Sequence, residues 1–446
     1  PVDAAVYLVY PAWEKYYYSW EELENTFKGL IPQKLKQMQQ WLSWEKSQPN
    51  SPPMTSQLNL CEICPQREKC QRFFEDSGGK LKKRSPANLD KKKKALKTTN
   101  SDADFMGKKL VESLHSFGVE VDYMEAIMGC SFIRVKLKPH PGVKVASLER
   151  LSKDLQVQLG IASPPSIAPQ AGYVSVDLPR GDRQIATFEK FVLGEGKVAI
   201  ASPIKIPIGV NLEGELVEAD LSDPNTCHFL IGGTTGSGKS EFLRSLLLSL
   251  IYRHSPDNLK IALVDPKRVT FPEFEGMKWL YQSIVKDSDD AIDLMTSLVA
   301  EMEARYRQFE ASGCADIDPY NAQSVKGFAR IICIFDEYAD FMAEREVRRD
   351  LELSIKRLGA MARAAGIHLI VATQRPEAKV VTPIIRSNLP GRVALRTASE
   401  ADSQIILGGK QSAAAYLLGK GDLFYQVGSQ LWRLQSLFAS RVELGD

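Results

Sequence analysis

Gly233-Thr234-Thr235-Gly236-Ser237-Gly238-Lys239-Ser240 is a complete G-x-x-x-x-G-K-S sequence, and the rest of the chain orders itself around it. The apolar Phe229-Leu230-Ile231 before it reads as a buried strand, and Glu241 to Leu248 after it has helical spacing. Strand, glycine turn and helix is the setting in which this motif cradles phosphate. Glycines let backbone N–H groups curl around an anion, and the helix N-terminus adds a partial positive charge. Lys239 is expected to reach the β- and γ-phosphates of ATP, and the Ser240 hydroxyl to sit on Mg²⁺.

Further strands follow at the spacing of an α/β domain. Ile261 to Val264 ends in Asp265-Pro266-Lys267, and a long amphipathic helix is expected from near Asp289 to Ala311. The apolar run from Ile331 to Phe335 reads as a buried parallel strand that delivers Asp336 and Glu337 at its carboxyl end, where ligands gather in open α/β sheets. Asp336 is expected to hold Mg²⁺ through water, and Glu337 to polarise the attacking water. Ile367 to Gln374 is the next strand, and its polar end puts Gln374 where it could sense the γ-phosphate.

Composition sets the bounds. The 446 residues are 44% hydrophobic and 25% charged with a formal net charge of +2, an ordinary globular balance that says nothing about partners. Length alone suggests roughly three domains. No apolar stretch approaches the ~20 residues of a membrane span and no signal peptide opens the chain, so no membrane partner is expected. Seven irregularly spaced cysteines beside a nucleotide site point to a reducing, cytoplasmic setting. The start at Pro1, in the apolar run Ala4 to Tyr10, reads as that of a fragment.

Upstream of the phosphate loop, three regions are expected. Residues 1–76 begin with a strand, Ala5 to Tyr10, followed by a helix-like stretch rich in aromatics and lysine. They end in Cys61, Cys64 and Cys70, a C-x-x-C-x₅-C cluster that could grip zinc or an iron–sulfur centre given a fourth ligand. Residues 77–103 carry a dense run of lysines with almost no apolar content, which reads as a flexible basic linker, either a solvated tether or an arm that touches DNA. Residues 104–200 alternate strand and helix patterns as a compact α/β module, and 201–446 form the motor. The fold class is therefore α/β, with a central, mostly parallel sheet in a P-loop motor.

Ordered motifs sharpen this. Asp265-Pro266-Lys267, Glu301-Met302-Glu303-x-Arg305-Tyr306, Asp336-Glu337, Ala362 to His368, Ala372-Thr373-Gln374-Arg375-Pro376 and Leu418-Gly419-Lys420-Gly421-Asp422 resemble those of the FtsK/SpoIIIE DNA translocases. Phe117 to Val121 and Pro141 to Val145 extend the resemblance into the preceding module. The resemblance implies a ring-stacking module before a RecA-like motor, with a hexameric ring around double-stranded DNA. It implies that Arg363 is an arginine finger for a neighbouring subunit, and that Arg375 and Arg386 lie near loops facing DNA phosphates. Glu400 and Gln404 stand where members often carry basic residues. The pattern stops short of the family's winged helix and membrane anchor, which favours DNA processing or defence over chromosome segregation. The cysteine cluster separately resembles the tail of AddB-type, RecB-like nucleases, which implies a [4Fe–4S] cluster and an upstream or partner nuclease. Two other functions stay open: a type VII protein-secretion ATPase and a non-catalytic DNA-binding scaffold.

Overall fold

A computed structural model describes the backbone of residues 4–9, 13–18 and 88–101 and all atoms of 102–193, 204–409 and 411–440. The chain divides into two units, residues 1–94 and 95–446. In the first, β1 (Ala4–Val9) pairs antiparallel with β2 (Trp13–Tyr18), Val9 lying opposite Trp13. A helix-like stretch was expected after the first strand, and Trp13–Tyr18 falls where it would begin. Its Trp-Glu-Lys-Tyr-Tyr-Tyr sequence instead satisfies the strand preference of aromatic side chains on a paired edge. Cys61, Cys64 and Cys70 lie outside the described residues.

Helix α1 (Asn88–Ser116) runs through much of the span expected to be a flexible linker. Lysine is a good helix former, so a lysine-rich segment can continue a helix anchored further along. That anchor is Leu110 and Leu114, both fully buried. They pack on an antiparallel sheet of β3 (Val121–Met128), β4 (Phe132–Pro139), β5 (Ser166–Gln170) and β6 (Tyr173–Pro179), ordered β3-β4-β6-β5. Helices α2 (Val145–Arg150) and α3 (Ser152–Leu159) add Leu148, Leu155 and Leu159 to the same core. Along β4, Val135 and Leu137 point into this core while Arg134 and Lys136 point away, the period-2 alternation of a sheet with one covered face. A short turn of helix, α4 (Phe188–Phe191), lies on the way to the following domain.

The following domain is built on nine strands in the order β10-β11-β12-β9-β13-β14-β15-β7-β8. In chain order these are β7 (Lys205–Val210), β8 (Leu216–Asp220), β9 (Phe229–Gly232), β10 (Leu259–Val264), β11 (Arg330–Phe335), β12 (Ile367–Thr373), β13 (Gly391–Leu395), β14 (Asp422–Val427) and β15 (Gln430–Gln435). The first five of the spatial order are parallel, as expected, and β9 lies between β12 and β13. The other four extend the sheet through antiparallel pairs. This extension had no motif to announce it.

The parallel strands are buried on both faces, which is why β12 reads Ile-His-Leu-Ile-Val-Ala-Thr without alternation. Helix α5 (Lys239–Arg253) covers one face through Phe242, Leu243, Leu246 and Leu250. Helices α6 (Ser288–Ser312) and α8 (Arg345–Met361) cover the other through Leu298, Met302, Leu351 and Leu358. Between them α7 (Ile317–Gln323) follows α6, and α9 (Pro383–Asn388) and α10 (Glu400–Leu407) flank β13 in sequence. Among the described residues, no helix is long and apolar enough to cross a membrane.

Candidate phosphate-binding site

The loop between β9 and α5 has the form its glycines permit. Gly236 and Gly238 take φ of 75° and 98°, backbone that L side chains rarely adopt. A Cβ on Gly238 would also stand 2.5 Å from the amide nitrogen of Gly421, so only glycine fits there. The N–H groups of Gly236, Gly238, Lys239 and Ser240 find no protein acceptor among the described residues, and they open α5. Unpaired donors at a helix N-terminus form an anion site. The Ser237 hydroxyl is buried with no partner either.

Three further segments fix this loop from behind. The amide of Gly233 donates to the Thr373 carbonyl (3.2 Å), and that of Thr234 to the Arg396 carbonyl (2.9 Å). The amides of Lys420 and Gly421 donate to the carbonyls of Gly236 (3.2 Å) and Ser237 (2.7 Å). The last two contacts aim loop carbonyls backwards, and the amides of Gly236, Gly238, Lys239 and Ser240 stay free for a ligand.

Asp336 and Glu337 follow β11, and both are buried. The Lys239 ammonium lies 2.7 Å from Asp336 Oδ1 and also donates to the Asp336 carbonyl. Thr270 Oγ1 donates to Asp336 Oδ2 at 2.9 Å. Asp265, at the end of β10, accepts the amides of Thr270 (2.9 Å) and Phe271 (3.0 Å) through Oδ2, while its Oδ1 is buried without a partner. Spacing alone did not give Thr270 or Asp265 a role. The signal was present in Asp265-Pro266-Lys267, which ends the strand beside β11.

Glu337 accepts from Thr373 Oγ1 (2.7 Å), from the Gln374 amide (3.0 Å) and from the Lys267 ammonium (3.3 Å). The Gln374 side chain in turn accepts from Thr235 Oγ1 at 3.0 Å. Gln374 thus connects the carboxylate of Glu337 to the phosphate loop, its backbone binding one and its side chain the other.

The exposed Ser240 opens on a cleft of about 260 Å³ with Glu241, Arg244, Thr270 and Glu273. Burial raises the pKa of the Glu241 carboxyl, and Arg244 opposes this. The donor set fits a nucleoside triphosphate: free amides, one buried ammonium and a loop that only glycine can form. The Ser240 hydroxyl, in the cleft beside Thr270, and the Asp336 carboxylate that Thr270 holds fit the magnesium that accompanies it. Bound there, Mg²⁺ would neutralise charge on the β- and γ-phosphates.

The other expected residues lie apart. Arg363 is exposed and follows α8, where Nη1 donates to the Ser222 carbonyl at 3.2 Å. It precedes β12, whereas the phosphate loop follows β9, which pairs in parallel with β12. Seven residues of strand at about 3.3 Å each separate the two ends by roughly 20 Å. Arg363 therefore cannot reach the phosphate loop of its own chain. Arg375 is exposed beside Gln374, at the carboxyl end of β12. Arg386 is half-buried on α9, near the amino end of β13, with its Nε buried and unpartnered. The fold does not bring these two together. No group of three or more His, Cys, Asp or Glu able to hold a metal occurs among the described residues.

Known proteins match the chain in the same places. The FtsK/SpoIIIE family profile matches residues 197–378 and the FtsK alpha domain profile matches 86–180. Together they take in more than half of the chain. An uncharacterised FtsK-like protein of Nostoc sp. is 38% identical over 342 residues, covering 75% of this chain and 47% of its own. DNA translocase FtsK of Caldanaerobacter subterraneus subsp. tengcongensis is 36% identical over 342 residues (76% of this chain, 47% of its own). That of Helicobacter pylori strain J99 is 36% identical over 360 residues (78% and 42%). The chain thus spans about half the length, or less, of the curated relatives it matches. Among solved structures, the pCW3 conjugation coupling protein TcpA, in its monomer form with ATPγS, superposes with a TM-score of 0.51 at 24% identity, covering 74% of this chain and 94% of its own. That likeness concerns the fold. By its two profiles, by its relatives and by the loop and acid pair they share a place with, this chain belongs to the FtsK/SpoIIIE family.

Proposed function

We propose that the chain is an ATP-hydrolysing motor that moves along double-stranded DNA. The observation that carries this is the convergence of Lys239, Asp336 and Glu337 at one sheet edge, with Gln374 bridging the acid to the loop. A binding scaffold needs the loop but not a buried glutamate held beside it. In this reading Lys239 leaves Asp336 for the phosphates, and Asp336 turns to the metal side of the cleft with Ser240. Glu337 accepts a proton from the attacking water, and Gln374 reports the γ-phosphate to it.

The position of Arg363 supports action on a neighbouring subunit and hence a closed ring, which the family's pattern makes a hexamer. Arg375 and Arg386 are the proposed contacts to DNA phosphates. The metal centre at Cys61, Cys64 and Cys70, a nuclease association, a role in DNA processing or defence, and a cytoplasmic location are proposals that rest on the sequence motifs.

A duplex-stimulated phosphate-release assay tests the core of this. The wild-type chain should turn over ATP faster with double-stranded DNA, and Glu337→Gln should bind ATP while losing about 10²–10⁴-fold in turnover. Turnover indifferent to duplex would point to a different cargo, and near-normal turnover by Glu337→Gln would remove the assigned base.

A further inference from the structure

The α/β module touches the phosphate loop through a short turn. Leu418-Gly419-Lys420-Gly421-Asp422 presses on the loop: two of its amides hold the Gly236 and Ser237 carbonyls, and Gly421 leaves no room for a Cβ on Gly238. The turn is strained. Gly419, Lys420 and Gly421 all have positive φ, and Lys420 is one of two non-glycine residues so placed among the described residues. Something must hold it, and the holders come from outside the nucleotide site.

Asp422 has no exposed surface; Oδ2 accepts the Leu418 amide at 2.8 Å, which closes the turn on itself. Arg433 binds both oxygens of Asp422 (3.1 and 2.7 Å) and reaches Asp177 of β6 in the module (3.3 Å). Arg134 of β4 grips Asp177 from the other side, at 2.7 and 2.9 Å. A second hold is shorter. Arg183, on the segment that leaves the module, donates to the Leu418 and Gly419 carbonyls at 3.3 and 2.8 Å. Both lines run from module to turn, and the turn runs to the loop.

We propose that the module acts on the nucleotide site through this turn, with Arg183 and the Asp177–Arg433–Asp422 chain as positioning residues that never touch nucleotide. The inference rests on the nucleotide reading of the phosphate loop. Because Lys420 and Gly421 bond the very loop whose other amides face the ligand, holding the turn holds those amides in register. By linkage, ligand bound at the loop must then tighten the module's grip on the turn by the same factor.

Arg183 is the place to test it, since it is half-buried and leaves the buried ion pairs intact. In the full chain, Arg183→Ala should weaken binding of a fluorescent ATP analogue about tenfold, and Arg183→Lys should recover part of that. Lys239→Ala should abolish binding; if it does not, the nucleotide reading itself fails, whatever Arg183 does. If Lys239→Ala abolishes binding and Arg183→Ala binds as wild type, the proposed coupling is overturned. Should Arg183→Ala not fold, hydrogen exchange on the wild-type chain decides. The analogue should slow exchange in segments 180–186 and 416–422 as well as in the phosphate loop. Protection confined to the phosphate loop would overturn the proposal.

Discussion

At the carboxyl edge of the parallel strands, Lys239, Asp336 and Glu337 are buried in ion pairs and hydrogen bonds, and the Asp265 carboxylate is half-satisfied beside them. At the amino edge the buried titratable groups include two histidine rings, His228 before β9 and His368 in β12, the Cys227 thiol, and the Arg305 guanidinium, which Glu301 and the Ala365 carbonyl meet, while Arg363 stays at the surface. Burying an ion costs several kcal/mol unless partners meet it, and an apolar filling is often as stable. The carboxyl edge gathers Lys239, Asp336 and Glu337 side by side, whereas at the amino edge the Arg305 charge is already met by Glu301 and a backbone carbonyl. The clustering marks the edge where a charged ligand is expected.

The sharpest way to break this contrast is Lys239→Ala. It removes the cation from the carboxyl edge, leaves Asp336 buried without its ammonium, and should drop ATP turnover to background. A thermal melt should fall too, since losing one partner of a buried pair costs about 3–5 kcal/mol. Retained turnover would mean that the buried pair is structural. At the other edge, Arg363→Ala should lose about 10³-fold in turnover, the scale of an arginine finger, with no loss of ATP affinity to match. Mixing it with Glu337→Gln subunits should restore part of the activity. No recovery in rings shown to assemble would rule out action across a boundary.

What could be read from the chain alone follows the same divide. The phosphate loop, Asp336-Glu337 and Thr373-Gln374 were legible because each is a contiguous motif at the end of an apolar run, and a parallel strand delivers such residues to one edge. The hold of Leu418–Asp422 on Gly236 and Ser237 was not, since it joins residues nearly two hundred positions apart and leaves no periodicity. Thr270 was equally hidden: nothing in its neighbours announces a hydrogen bond to Asp336. Arg363 was a candidate by motif alone, and its distance from its own phosphate loop emerged only from the strand order. Trp13–Tyr18 misled because aromatics with an intervening lysine fit either period over six residues.

A smaller effect is expected at the two arginines assigned to DNA, which lie on different edges. Arg375 is exposed at the carboxyl edge, so Arg375→Ala should weaken duplex binding evenly across sequences and flatten the salt dependence by about one phosphate's worth. Arg386 is half-buried next to Arg392, and burial together with Arg386 lowers the Arg392 pKa to about 10. Arg386→Ala should therefore cost less. A larger slope change at Arg386 than at Arg375 would move the duplex to the amino edge, and a loss limited to particular sequences would contradict backbone contact.

The smallest effect concerns the buried rings at that amino edge. His228 Nδ1 accepts the Leu369 amide at 3.0 Å, so it must carry no proton, and His368 Nδ1 lies 3.1 Å from the Cys227 carbonyl, to which it donates. Burial, aided by the charge of Arg363, lowers His228 to about 4. Burial, with His228 beside it, lowers His368 to about 3. In the unfolded chain both return to about 6.5. Between those values the unfolded state binds more protons than the folded one, so stability rises with pH across the window. The contribution is complete above pH 6.5 and is lost as pH falls toward 4, at up to about 1.4 kcal/mol per unit for each ring. Carboxylates titrate in the lower part of the same range, which is why the comparison needs a variant. His228→Gln keeps an acceptor for the Leu369 amide and removes one titration. Its melting temperature should fall less steeply than that of the wild type between pH 7 and 5, so that the two curves converge on acidification. Parallel curves would show that His228 titrates alike folded and unfolded.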